Sequence, residues 1–161
     1  MEKKLVLLVR KVLIVLLILW MICVFLLSQQ NGEQSGGLSK KVAMFICFGN
    51  IESAENIEPM IRKVAHMTEF GIGAMIFYGL LSTYRQIPLK IKIGATIAFI
   101  VVCSGLDEFH QSFIDSRNAS YVDVAIDIFG GALGTGACYL LGNIISLIDT
   151  KVQEEVQKTN G

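Results

Sequence analysis

The chain has 161 residues, of which 53% are hydrophobic and only 17% charged, and its mean hydropathy is +0.57. Soluble domains carry about 25% charged residues, so an ordinary soluble surface is excluded, and so is intrinsic disorder, which needs low hydrophobicity and high net charge. With 14 Lys+Arg against 14 Asp+Glu the net charge is zero, which argues against a nucleic-acid partner. These numbers predict a single all-α integral membrane domain over residues 1–161.

A hydrocarbon core of ~30 Å needs roughly 20 apolar residues in a helix, and the backbone must satisfy its own hydrogen bonds there. The first such stretch is 5–27, whose uncharged part is Val12 to Leu27 and whose Arg10 and Lys11 can snorkel toward headgroups. Ser28-Gln29-Gln30-Asn31 offers no small-x-small cleavage site, so a retained helix is expected rather than a signal peptide. Residues 28–63 are predicted to be an outer loop. Within it, Gln29 to Ser39 is rich in Ser, Gly and Gln and reads as flexible. Val42 to Phe48 is apolar but too short to span, and is expected to lie in the interface or over the bundle.

The second predicted span is 64–84, with His66, Thr68 and Glu69 in its first two turns. The third is 91–113, with Asp107, Glu108 and His110 near its end. A fourth covers 122–148, with Asp123 and Asp127 at its beginning and a run of small residues after Phe129. There Gly130 and Gly134 stand one turn apart, which lets a neighbouring helix approach closely. Residues 149–161 read as a polar cytoplasmic tail, helical at first. Four spans with no second domain give a polytopic transmembrane helical bundle.

Basic residues set the orientation. Lys3, Lys4, Arg10 and Lys11 flank the first span, and Arg85, Lys90 and Lys92 fill the turn between the second and third. Both termini are therefore expected in the cytoplasm (N-in/C-in). Under this topology the ionisable residues of three helices arrive at one depth, near the outer boundary. Helical spacing puts Arg62, His66, Glu69 and Gly73 on one stripe, with Lys63 at its edge. Asp107 and Glu108 share a face with Gln111, and Asp123 with Asp127.

A charge at the bilayer centre costs ~2.5–3.5 kcal/mol on insertion scales, and intramembrane ionisable groups are functional candidates by default. Glu69, Asp107, Glu108 and Asp123 are the candidate acid–base groups, with His66 as proton shuttle. Lys63, Gln111, Arg117 and Asp127 are the candidate ligand contacts. The alternative is that interhelical salt bridges merely fix the register of the bundle. Arg117 either pairs with Asp107 or Asp123 or clamps an anion. Ser120 is predicted to cap the fourth helix with Asp123 completing a capping box, which gives Asp123 a structural role as well. No two histidines sit at helical spacing and no thiol is near His66 or His110, so neither a metal nor another cofactor is expected. Cys23, Cys47, Cys103 and Cys138 are solitary, and the three in apolar spans read as small hydrophobes.

The ordered set Lys63-x-x-His66-x-x-Glu69-Phe70, Asp107-Glu108-x-x-Gln111, Arg117, Asp123 and Gly130 to Gly134 resembles the VanZ-like family, as does Ser28-Gln29-Gln30 after the first helix. The resemblance runs from about Val12 to Leu141. It implies a small bacterial protein, multi-pass in the cell membrane, of a family whose founding member is associated with resistance to glycopeptide antibiotics, particularly teicoplanin. A role in the cell envelope and in antibiotic resistance is thereby expected. The implied partners are membrane lipid and a lipid-linked cell-wall precursor or glycopeptide. The family often has Asn where this chain has Asp127. Three readings stay open: an outward-facing enzyme or modifier of an envelope substrate, a non-catalytic binder or small transporter, and an accessory structural subunit.

Overall fold

The computed structural model describes residues 2–30, 32–114 and 120–159, which form five α-helices: α1 (Glu2–Ser28), α2 (Gly32–Ile46), α3 (Ile51–Ser82), α4 (Leu89–Gln111) and α5 (Tyr121–Thr159). Four of them, α1, α3, α4 and α5, are long and apolar enough to cross a membrane. At 1.5 Å per residue, α4 with 23 residues is about 34 Å long and matches the bilayer. The 32 residues of α3 and the 39 of α5 are longer than a crossing requires. The excess of α3 lies at its beginning, and that of α5 at its polar end.

α3 and α4 form the middle of the bundle, with α5 seated against both and α1 lying across both. The buried core is small: Trp20, Phe70, Ala74 and Ile100, with Leu17, Val24, Phe99, Cys103 and Ile128 packed around them. Trp20 meets Phe70 edge to face at 5.8 Å, and Phe77 stacks on Phe99 at 4.3 Å, both within the favoured range for aromatic pairs. Long aliphatic side chains such as Leu8, Leu16, Leu26, Leu133 and Leu140 point outward. In a bilayer that surface contacts lipid tails, so helix association must come from close packing and polar contacts.

The tightest packing joins α3 to α5. A Cβ on Gly130 would run into the backbone carbonyl of Met67, and one on Gly134 into that of Gly71. A Cβ on Gly71 would stand 3.2 Å from the Gly130 carbonyl oxygen. The backbones of the two helices therefore touch along two glycines of α5 spaced by four residues, Gly130 and Gly134, and one of α3, Gly71, as the Gly130/Gly134 spacing predicts. Trp20 gives α1 its own fixed place. Its indole occupies the space over Gly73 that a side chain would fill, and its Nε1–H donates to the Glu69 carbonyl oxygen at 2.8 Å.

At the other end of the bundle Arg10 donates to the Thr83 hydroxyl at 3.0 Å and to its carbonyl at 2.9 Å. The same guanidinium lies 3.9 Å from the Tyr84 ring centre, a cation–π contact. Arg10 thus pins the start of α1 to the end of α3.

The segment 28–63 is not the open loop expected from its composition. Residues 32–46 are helical, and α3 begins at Ile51, capped by Asn50, whose side chain accepts from the Ser53 N–H at 2.9 Å. The reason is tertiary: α2 packs back against the first turns of α3, burying Ser39, Ala43 and Ala54, and packing of this kind outweighs weak intrinsic propensity. The reversal between them passes through Phe48 and Gly49, both at positive φ (49° and 85°). Pro59 lies inside α3, where it removes one hydrogen bond without ending the helix. The polar tail is helical from its start, as expected, and α5 continues through 149–159 with no break. α4 ends at Gln111, two residues before the predicted boundary.

Candidate functional site

Polarity rises along one face of α4. Its buried positions Thr96, Ile100, Ser104, Asp107, Glu108 and Gln111 follow helical spacing, and the two acids and the amide lie together in its last turns. The facing stripe of α3 carries Arg62, His66 and Glu69. Between them lies a cavity of ≈ 110 Å³. Its polar wall is Ser28 from α1 with Gln30 just beyond it, Ser39 from α2, Arg62, His66 and Glu69 from α3, and Asp107 and Gln111 from α4. α2, the element read as loop, closes one side with Leu38 and Ser39.

Gln111 Nε2 donates to Asp107 Oδ2 at 2.6 Å, which orients both groups at the cavity edge. Behind the cavity wall Asp127 is fully buried. Its Oδ2 accepts from the Ser104 hydroxyl at 2.7 Å, and its Oδ1 lies 3.8 Å from His66 Nδ1. Asp127 is carried by α5 in the turn before Gly130. The glycine contacts that draw α5 onto α3 therefore also set the Asp127 carboxylate behind the His66 ring. Among the described residues, Asp127 Oδ1 and Glu69 Oε1 are buried without a hydrogen-bond partner. Leaving such an atom unsatisfied costs about 1–3 kcal/mol, and few native buried groups are left in that state.

The remaining sequence candidates lie elsewhere. Glu108 faces the groove between α4 and the start of α5, with Gly105, Ser112, Ser120 and Tyr121. Its Oε2 accepts from the Ser120 N–H at 2.7 Å, while the Ser120 hydroxyl accepts from the Val122 N–H at 3.2 Å. Ser120 thus caps α5 as its sequence predicts, but a carboxylate that closes this turn comes across from α4. Asp123 is partly exposed one turn before Asp127 and does not line the cavity. Lys63 is exposed, and its neighbour Arg62 is the cation in the cavity wall. Arg117 lies outside the described residues.

Ser104, Trp20 and Ser28 were not singled out as site residues by sequence. Ser104 is legible in principle, because it precedes Asp107 and Gln111 at spacings of three and seven. Trp20 is the one tryptophan in the chain and interrupts an aliphatic helix. Ser28 enters the sequence reading only as part of Ser28-Gln29-Gln30: its hydroxyl is 2.9 Å from His110 Nδ1, a contact between residues 82 apart that only the fold brings together.

Comparison with curated proteins and with solved structures finds no match. A sequence model of the VanZ/LLP1 family matches residues 13–142. The match includes His66, Glu69, Asp107, Gln111, Asp127 and the glycines that hold α5 against α3, and the chain belongs to the VanZ/LLP1 family.

Proposed function

We propose that the cavity beneath α2 is an outward-facing site that binds the polar end of a cell-envelope lipid or lipid-linked ligand and carries out acid–base chemistry on it. The observation that carries this reading is the convergence of His66 with Glu69, Asp107 and Asp127, from three spanning helices, at one end of the bundle. In this reading Asp127 holds the His66 ring so that Nε2 is presented to the ligand, and His66 gives and takes the proton. The 3.8 Å separation is of the kind that tightens when a ligand fills an empty site. Glu69 and Arg62 position the ligand, the first as acceptor and the second as donor. The orientation is supported by Lys3, Lys4, Arg10, Lys11, Arg85, Lys90 and Lys92, all at the end opposite the cavity.

The test compares envelope lipids and cell-wall precursors, by mass spectrometry, in cells with the gene, without it, and with His66→Ala or Glu69→Gln. Membrane levels are matched by immunoblot, and teicoplanin susceptibility is measured in parallel. A lipid or precursor species whose mass changes with the gene, and reverts in both variants, is the expected result. Identical profiles and identical susceptibility in all four strains overturn the reading. A second reading, binding without turnover, is favoured by the hydrogen bond that already engages Asp107 with Gln111. Co-purification of a ligand of unaltered mass, still lost in His66→Ala, selects it.

A further inference from the structure

The polar cavity has an apolar extension. A groove of ≈ 190 Å³ runs between α1 and α4, lined by Trp20, Met21, Phe25, Cys103 and Leu106, and it shares Val24, Ser28 and Asp107 with the cavity. From Ser28 to Trp20 the groove descends eight residues of α1, about 12 Å toward the membrane interior. Its rims, Met21, Phe25 and Leu106, are exposed on the bilayer-facing surface at 49%, 54% and 62%, so the groove opens sideways to lipid. At its polar mouth His110 is held by Ser28 at 2.9 Å and Gln29 at 3.2 Å, with its ring 5.3 Å from that of Phe25.

We infer that the α1–α4 groove seats one acyl chain of a membrane glycerolipid whose polar head occupies the cavity lined by His66, Glu69 and Asp107. This rests on the headgroup reading above and names the class of ligand. A hydrocarbon chain is the occupant available to an apolar groove that opens within the bilayer, and the two shared walls make groove and cavity one amphipathic site. The head must be small. At ≈ 110 Å³ the cavity is smaller than the ≈ 190 Å³ groove, which suits a compact head such as a glycerol- or ethanolamine-sized group. The head must also tolerate acid: Glu69 and Asp107 stand against Arg62 as the charged lining, which favours hydroxyl or ammonium donors over a pyrophosphate.

The single tryptophan provides the probe. Trp20 is only 7% exposed yet lines the groove, so a chain lying in the groove reaches the indole. The full chain is reconstituted in nanodiscs of phosphatidylethanolamine brominated in mid-chain, and Trp20 fluorescence is followed. The expected result is strong quenching that falls at least twofold in Cys103→Phe and in Leu106→Phe, both of which fill the groove. Native mass spectrometry of the wild-type chain is expected to show one retained glycerolipid, absent from these variants. Circular dichroism and gel filtration confirm that each variant is folded. Quenching that is absent, or equal in wild type and both folded variants, overturns the inference, as does retention of a polyprenyl lipid in place of a glycerolipid. His66→Ala separates the two proposals: groove-dependent quenching that persists in this variant supports the acyl site whether or not the envelope-lipid profile changes.

Discussion

The α3–α5 and α1–α4 seams are both contacts between membrane-spanning helices, yet they are built in opposite ways. α3 and α5 meet backbone to backbone, with Gly130 and Gly134 leaving no room for a single added carbon and Gly71 leaving little. α1 and α4 meet through large side chains, Trp20, Phe25 and Leu106, and leave a groove open between them. In lipid, where burying apolar surface between helices gains little, small residues are what allow close approach and the many weak contacts that hold it. The difference teaches that one seam is the rigid support of the site and the other its access. Asp127 and the His66–Glu69 stripe stand on the rigid side, and Ser28 and His110 on the open side.

The largest effect should come from closing up the glycine seam. Gly134→Ala or Gly130→Ala places a methyl against a backbone carbonyl of α3, which no rotamer change can relieve. Overpacking of this kind costs about 1–3 kcal/mol, occasionally more, and the upper end is expected here. Thermal unfolding in detergent micelles reads it, with lower membrane abundance as the cellular correlate. Wild-type melting in both variants would mean that α3 and α5 are not in backbone contact.

Next in size is the carboxylate that the seam holds in place. Asp127→Ala leaves the Ser104 hydroxyl, buried against α5, without its acceptor, and stranding a buried polar group costs about 1–3 kcal/mol. Asp127→Asn keeps an acceptor oxygen for Ser104 and a group of the same shape beside His66, so it should retain most of the stability. The same melting experiment checks both. Equal destabilisation by Ala and Asn would show that the negative charge, rather than the hydrogen bond, is what the bundle depends on.

These sites show how much of the molecule could be seen in the sequence. Span number, the basic end and the polar end follow from hydropathy and charge, because a bilayer accepts few other solutions for such a chain. The stripe Arg62–His66–Glu69 and the pair Asp107–Gln111 follow from helical period, and Gly130 and Gly134 from their spacing. What the sequence concealed is set by contacts distant along the chain. α2 is polar and glycine-rich, and is helical because Ala43 and Ser39 find α3. Glu108 and Asp107 are adjacent, so composition cannot separate them. A helix turns adjacent residues about 100° apart, and that rotation sends Asp107 to the cavity and Glu108 to the Ser120 N–H. The groove was invisible for the same reason, since it exists only as a gap between two helices.

Where α1 crosses α3, Trp20→Phe tests the hydrogen bond from the indole. Phe keeps an aromatic ring near Gly73 and Phe70 but loses the donor to the Glu69 carbonyl. A typical neutral hydrogen bond contributes about 0.5–1.5 kcal/mol net, so a loss near 1 kcal/mol is expected on melting. A neutral result would mean that the ring alone positions α1.

The smallest effect, and the sharpest for the comparison, belongs to glycines that face no neighbour. A Cβ on Gly105 of α4, or on Gly136 of α5, meets nothing within 4 Å. Alanine is favoured over glycine in a helix interior by up to ~1 kcal/mol, so Gly105→Ala and Gly136→Ala should be neutral or slightly stabilising on melting. Gly136 is the decisive partner for Gly134: same helix, same substitution, two residues apart, opposite sign. If Gly136→Ala destabilises as strongly as Gly134→Ala, the cost belongs to α5 as a helix and not to its contact with α3. The contrast between a closed seam and an open one would then have no energetic basis.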